Sequence, residues 1–386
     1  MIVLLLIAFL ESFATTCMER GIYFYTHDTL KYADSDNLWL ALMFGAVYVA
    51  GALSSHAMSK RVGERRVLIA AILAQGVMHV LLACQGSAWS LYACFTILGW
   101  LNGAKWPILE SYISAGKSGP SQARAISFFN VAWSVSVPLA LVGVGLLKQG
   151  SVLPLFLVPA GINVLCGAMC LWLTSRPTHL AAGDDQLPSE RQTVRLAALL
   201  VSNRWLMLAS YTILFLLAPL FPSILGRLKM NPEIAPAMSG FIDVMRLAAF
   251  LVLGSWAGWH GRTYPIVISL LAMPAGLFMV LFGQNLPVVL VGEVVFGMSA
   301  GTIYNAALYY AMAVKNASVE GGAAHEGLIG SGFALGPALG LVSIAILPSV
   351  GGEKIVSTLL TVGPVLALCT AAALLPLWRA RRQLNS

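Results

Sequence analysis

Uninterrupted apolar stretches about as long as a bilayer is thick recur along this 386-residue chain, as at residues 67–83 and 355–378. A helix needs roughly 20 apolar residues to cross the hydrocarbon core. An outer-membrane strand instead alternates polarity over about ten residues. The stretches therefore predict transmembrane helices and exclude a barrel. Only 10% of the residues are charged, where soluble domains carry about 25%, which excludes a soluble globular protein.

Hydropathy read in windows of about nineteen residues predicts twelve spans. Six lie at 2–24, 37–58, 67–85, 88–114, 123–147 and 152–174, and six at 201–226, 235–258, 264–283, 286–314, 323–347 and 355–378. The longest polar stretch, 175–195, holds two prolines, mixed charge and no apolar period. It reads as a linker, which gives bundles at 1–174 and 197–386 joined by residues 175–196. The first span holds Glu11, Glu19 and Arg20 and fits a cleavable signal poorly, so it is expected to stay. With the N-terminus inside, fifteen Lys and Arg fall in inner loops or the C-terminal tail and five in outer loops. That bias predicts a multi-pass protein of the inner or plasma membrane with both termini cytoplasmic. The net charge of +7 thus follows topology, and no nucleic acid partner is expected.

The two sets of six spans share landmarks. Gly63 and Gly261, Gly99 and Gly297, Gly103 and Gly301, and Tyr112 and Tyr310 are each 198 residues apart, and Pro138 and Pro337 are 199 apart. Two parallel repeats about an axis along the membrane normal characterise one class of secondary transporter, with the solute site between them near the midplane. Between spans two and three the chain reads His56-Ala-Met-Ser-Lys60-Arg61-Val-Gly63-Glu64-Arg65-Arg66. This is similar to the G-x-x-x-D-R-x-G-R-R/K loop of the major facilitator superfamily, with His56 at its first glycine and Lys60 at its aspartate. The resemblance implies a major facilitator fold, an all-α membrane protein of twelve helices in two pseudo-symmetric bundles, and gives Arg61, Gly63 and Arg65 a gating role.

Two narrower resemblances concern subfamily. Thr16-Cys-Met-Glu19-Arg20-Gly21-Ile-Tyr23-Phe24 shares the E-R pair and one aromatic with the E-x-x-E-R-F-x-Y-Y of proton-coupled oligopeptide transporters. Those proteins also use a lysine on span four and an acid on span ten, where Lys105 and Glu293 fall here. Gly332-Phe-Ala-Leu-Gly336-Pro337-Ala-Leu-Gly340 resembles an antiporter signature of span five, but lies on span eleven.

A lone charge at the bilayer centre costs about 2.5–3.5 kcal/mol, so ionisable residues in spans generally face the bundle interior and act there. Both halves contain them. Glu19, Glu110, Asp243 and Glu293 are candidates for proton coupling; Arg20, Lys105 and Arg246 are candidate partners for an anionic or zwitterionic solute. Adjacent positions on a helix are about 100 degrees apart, so Glu19 and Arg20 address different neighbours, and Lys105 is the expected mate of Glu19. That pair reads either as a proton switch or as a permanent salt bridge. Asp243 and Arg246, at i and i+3, can pair within one helix. Glu11 is expected nearer the inner surface.

Tyr23, Trp106, Asn130, Trp133, Tyr304 and Asn305 complete the expected binding set, as apolar walls with a few polar groups. His325 and Glu326 open span eleven and read as an inner gate or cap. His56, His79 and His260 read as packed or interfacial residues. The glycine pairs on spans four and ten allow close helix approach. The six cysteines read as small packing residues, and no metal-ligand spacing occurs. The sequon Asn316-Ala-Ser318 falls in an inner loop. A P-loop is absent, so no cofactor is expected and a proton gradient is the expected driver. Together these features predict a monomeric, proton-coupled secondary transporter of a small organic solute, which is not an enzyme. A drug or metabolite efflux antiporter, a peptide symporter and a non-transporting receptor are the alternatives.

Overall fold

A computed structural model describes residues 1–84, 87–117, 119–177, 190–314 and 319–385. Lys315, the sequon at Asn316 and the middle of the linker lie outside them. In hydrocarbon every backbone N–H and C=O needs a partner within its own segment, and the apolar stretches accordingly form helices. In the first half these are α1 (Ile2–Asp28), α2 (Asp34–Val62), α3 (Glu64–Ala83), α4 (Ala88–Ser114), α5 (Gly119–Leu147) and α6 (Leu153–Met169). In the second they are α7 (Thr193–Arg227), α8 (Ala235–Ser255), α9 (Tyr264–Phe282), α10 (Leu286–Val314), α11 (Val319–Ile346) and α12 (Lys354–Asn385). All but α4 meet a simple length-and-hydropathy test for crossing a membrane. α4 carries Lys105 and Glu110 and runs beside them over 27 residues.

Local chemistry sets the ends. Asp34 and Asp36 occupy the first turn of α2, and Asp36 Oδ2 accepts the Ala33 N–H at 2.9 Å, a favourable charge at a helix N-terminus. The chain turns from α2 into α3 at Gly63 with φ +94°, and before α9 at Gly261 with φ +66°, conformations that suit glycine. α1 is interrupted at Arg20. α7 is interrupted at Ala218–Leu220, where Pro219 and Pro222 remove backbone donors. The two breaks fall at equivalent places in the halves.

The repeat is reproduced in packing. A Cβ at Gly99 would lie 2.5 Å from the Phe44 carbonyl oxygen, and one at Gly297 would lie 2.4 Å from that of Ile242. Gly103 faces the Tyr48 carbonyl at 2.1 Å, and Gly301 that of Arg246 at 2.7 Å. Phe44 and Ile242, like Tyr48 and Arg246, are themselves 198 residues apart. The same glycines thus press the same backbone positions of α2 and α8 in both copies.

The halves meet mainly through α2 against α11 and α5 against α8. Phe333 stacks on Phe44 and packs against Tyr48 at ring separations of 6.3 and 4.8 Å. At the end remote from the chain termini, the Ser223 hydroxyl donates to Asp34 and Gln149 Nε2 donates to Glu233 at 3.1 Å. Large apolar side chains such as Leu271 and Leu171 point outward, as lipid-facing residues do. Cys84 is exposed and the other five cysteines are buried and unpaired.

Candidate functional site

A cavity lies between the halves. Its charged wall is built from α1 and α8. Because α1 breaks at Arg20, the guanidinium reaches across the interface, where Nη1 donates to Asp243 Oδ2 at 2.5 Å and Nη2 to the Ser239 carbonyl at 3.0 Å. Arg246 Nη1 donates to the other oxygen of Asp243 at 3.0 Å, and Nη2 to the Tyr211 hydroxyl at 3.0 Å. The Arg246 guanidinium also lies 5.2 Å from the Trp133 ring centroid, within cation–π range. One carboxylate therefore serves two arginines, and the expected Asp243–Arg246 pair within α8 is present.

A second polar group stands on α2, α4 and α11. The Tyr48 hydroxyl donates to Glu326 Oε2, and the Glu326 carboxyl is hydrogen-bonded to that of Glu110. A hydrogen bond between two carboxyl groups requires a proton on one of them. Glu19 completes the charged lining and has no hydrogen-bond or ion-pair partner among the described residues.

Of the residues expected from sequence to bind or couple, Glu19, Arg20, Trp106, Glu110, Trp133, Asp243, Arg246 and Tyr304 line this cavity, and so does Glu326, which was expected as a gate or cap. The rest lie elsewhere. Lys105 does not pair with Glu19: its Nζ donates to Glu11 Oε2 at 2.6 Å, Thr15 Oγ1 at 2.9 Å and Gln75 Oε1 at 2.8 Å, at zero exposure. Glu11 is likewise fully buried, and its other oxygen accepts from Asn163 Nδ2 at 3.0 Å. His79 Nδ1 bonds Asn163 Oδ1 at 2.8 Å, so this histidine belongs to a buried network within the first half.

Glu293 is buried beside α8, where Oε2 accepts the Ile242 N–H at 3.3 Å. Tyr23 packs edge-on against Phe95. Asn130 accepts from Trp133 Nε1 at 3.1 Å, and Asn305 does not line the cavity. Among the expected gating residues, Arg61 is exposed, and Arg65 Nη1 donates to the Leu173 carbonyl at 2.9 Å, tying α3 to the end of α6 within one half. His325 is buried with its ring edge-on to Tyr304.

Sequence reasoning missed Tyr48, Tyr211, Phe215 and Phe333 in the cavity wall, and Gln75 and Asn163 in the buried network. The aromatics carry no signal separable from ordinary packing. The two amides do, as isolated polar side chains inside apolar spans.

A model of the Major Facilitator Superfamily matches residues 4–324. The chain belongs to the major facilitator superfamily. It is accordingly a transporter and not an enzyme. This major facilitator protein superimposes on the nucleoside transporter NupG, crystallised as its D323A mutant, with a TM-score of 0.66, 13% identity and coverage of 99% of this chain and 98% of that one. It also superimposes on a bacterial homologue of the human lysosomal transporter Spinster, in an inward-facing and unoccupied conformation, at 0.65 and 16% identity over 98% and 92% of the chains. These likenesses concern the fold. A 137-residue stretch is 29% identical to the class C tetracycline resistance protein of Escherichia coli, covering 35% of this chain and 33% of that protein. The match thus spans about a third of that relative's length.

Proposed function

We propose that this transporter moves a small zwitterionic or anionic organic solute by alternating access and couples the movement to protons. The observation that carries the reading is the relation of Tyr48 to Arg246. They stand at equivalent positions of the two halves and line one cavity, so a pseudo-twofold axis puts them on opposite walls. Around Arg246, two arginines share one aspartate, an excess of one positive charge in the state in which Glu19, next to Arg20, carries its proton. Around Tyr48, two carboxyl groups share one proton, an excess of one negative charge. A solute with an anionic and a cationic end complements both walls.

The same carboxyl pair supplies the coupling. Glu110 belongs to the first half and Glu326 to the second, so their shared proton holds the halves together at this point. Separation of the halves breaks the pair and leaves two carboxyl groups with new partners and a new proton count. In this reading both termini lie in the cytoplasm and the working unit is a monomer of two bundles joined by residues 175–196, with no cofactor; a C-terminal reporter fusion tests the orientation.

The test is transport in proteoliposomes under an imposed pH gradient, with pools of amino acids, organic anions, peptides and drugs. One zwitterionic or anionic pool is expected to carry protons with it. Glu326→Gln and Glu110→Gln are expected to abolish gradient-driven accumulation while solute counterflow continues. Undiminished accumulation in the double variant overturns the coupling role. A second reading, efflux of planar aromatic compounds, is favoured by the aromatic lining and the stretch shared with a tetracycline resistance protein. Drug susceptibility of cells with and without the protein separates the two.

A further inference from the structure

The span α8 is broken at Gly240, where a short helix of Ala235–Ser239 ends and a longer one of Phe241–Ser255 begins. In an unbroken helix the Ile242 N–H would bond the Met238 carbonyl, and the Ser239 carbonyl would accept the Asp243 N–H. Here the Asp243 N–H bonds the Gly240 carbonyl at 3.0 Å instead. A donor at Ile242 and an acceptor at Ser239 are left over, and in hydrocarbon such groups need partners. Both find them on other helices. Arg20 Nη2 donates to the Ser239 carbonyl at 3.0 Å, and Glu293 Oε2 on α10 accepts the Ile242 N–H at 3.3 Å.

The repeat supplies a comparison inside the same chain. The counterpart of α8 is α2, which runs unbroken over Asp34–Val62. At the offset of 198, Gly240 corresponds to Leu42, Ile242 to Phe44 and Glu293 to Phe95. Phe95 meets Phe44 ring against ring, at 4.9 Å. The whole helix therefore has an apolar neighbour at this position, and the broken helix has a carboxyl group. On the carbonyl side the halves agree, since Gly297 abuts the Ile242 carbonyl as Gly99 abuts that of Phe44. The difference is confined to the N–H that the break sets free.

Glu293 has zero exposure and does not line the cavity. Its Oε1 has no partner, and among the described residues it makes no ion pair. Its contact is thus with the backbone of the residue that precedes Asp243, the aspartate that serves both Arg20 and Arg246.

We infer that Glu293 is a positioning residue of the transporter: from α10 it keeps α8 broken at Gly240, and so turns the Ser239 carbonyl and the Asp243 carboxylate toward Arg20 of the first half. Neither the identity of the solute nor the proton of the Glu110–Glu326 pair enters this role.

Thermal unfolding of the purified protein, with and without Arg20→Met, tests the role. A hydrogen-bond acceptor is all that it requires, so Glu293→Gln is expected to keep the wild-type midpoint. Glu293→Leu removes the acceptor and is expected to lower the midpoint by a few degrees. Without Arg20 nothing holds the break from the other side, and the Ile242 N–H can return to the Met238 carbonyl. The loss from Glu293→Leu is therefore expected to all but vanish in the Arg20→Met background, the non-additivity of residues that act as a unit. A loss in Glu293→Gln as large as in Glu293→Leu would mean that the charge or proton of the carboxyl matters. An equal loss from Glu293→Leu with and without Arg20 would reduce Glu293 to a helix cap. Either result overturns the inference, as does a wild-type midpoint in Glu293→Leu.

A second measurement needs no detergent-stable protein. A Cβ at Gly240, whose φ of −77° suits any residue, would lie 3.5 Å from Leu141 Cβ on α5, within disulfide range. In native membranes, with the native cysteines replaced, Leu141→Cys with Gly240→Cys is expected to oxidise at one rate with Glu293 or Glu293→Gln and several-fold more slowly with Glu293→Leu. An unchanged rate with Glu293→Leu overturns the inference.

Discussion

The Lys105 ammonium lies 2.6 Å from Glu11 Oε2, and neither side chain has any exposure. Breaking such a pair from one side leaves an uncompensated buried charge, typically about 3–5 kcal/mol of destabilisation, whereas replacing both partners is often close to neutral. Lys105→Met is therefore expected to lower the thermal midpoint sharply, and Glu11→Gln with Lys105→Met to recover most of it. Thermal unfolding in detergent checks this. A double variant that unfolds as early as the single one would show that the hydrogen bonds from Thr15, Gln75 and Asn163, not the charges, hold the network.

The Glu110–Glu326 contact joins the two halves. Coupling free energies of about 1–3 kcal/mol correspond to factors of roughly 5–150. Glu326→Gln is accordingly expected to reduce the ratio of gradient-driven accumulation to counterflow by about tenfold or more. Parallel loss of both activities would instead mark Glu326 as needed for binding.

Gly103 and Gly301 press on equivalent carbonyls, but Gly103 does so more tightly. Overpacking of this kind costs about 1–3 kcal/mol. Gly103→Ala is expected to destabilise more than Gly301→Ala. Gly161→Ala, with open space at the added methyl, is expected to be neutral or to stabilise by about 0.5–1 kcal/mol through helix propensity. The order of the three thermal midpoints decides the point.

The remote end is closed by Ser223 against Asp34. In a variant whose native cysteines are replaced, Asp34→Cys with Ser223→Cys is expected to be joined by a short bifunctional thiol reagent, and the cross-linked protein to stop transporting. A reducible linker should restore transport on reduction. Continued transport after complete cross-linking would mean that this contact stays shut throughout the cycle.

The spans were legible because a bilayer demands one length and one polarity of every helix, and the repeat because glycines at close contacts leave no room for substitution. Predicted and observed boundaries of the fourth and tenth spans coincide, at 88–114 and 286–314. What sequence could not fix was which of two acids Lys105 would meet. Glu11 and Glu19 are eight residues apart, about two turns along α1 and roughly 80° round it, so depth along the helix is the main thing that distinguishes them. Depth depends on where α4 crosses α1, which is a property of packing. For the same reason sequence alone reads the asparagines at 130 and 305 as deep enough to line a pocket, yet Asn130 is used by its neighbour Trp133. The in-helix pair of Asp243 and Arg246 was readable because a spacing of three residues fixes both depth and direction.

The equivalence of Tyr48 and Arg246 has a consequence for descent by duplication. An ancestral chamber made of two identical half-chains would have offered the same groups to both ends of any guest, and so could not have told head from tail. One such position now holds a phenol and the other a guanidinium. Together with the other charged positions that differ between the halves, that divergence gives the chamber a polarity, and on the proposed reading a zwitterionic guest is received in one orientation.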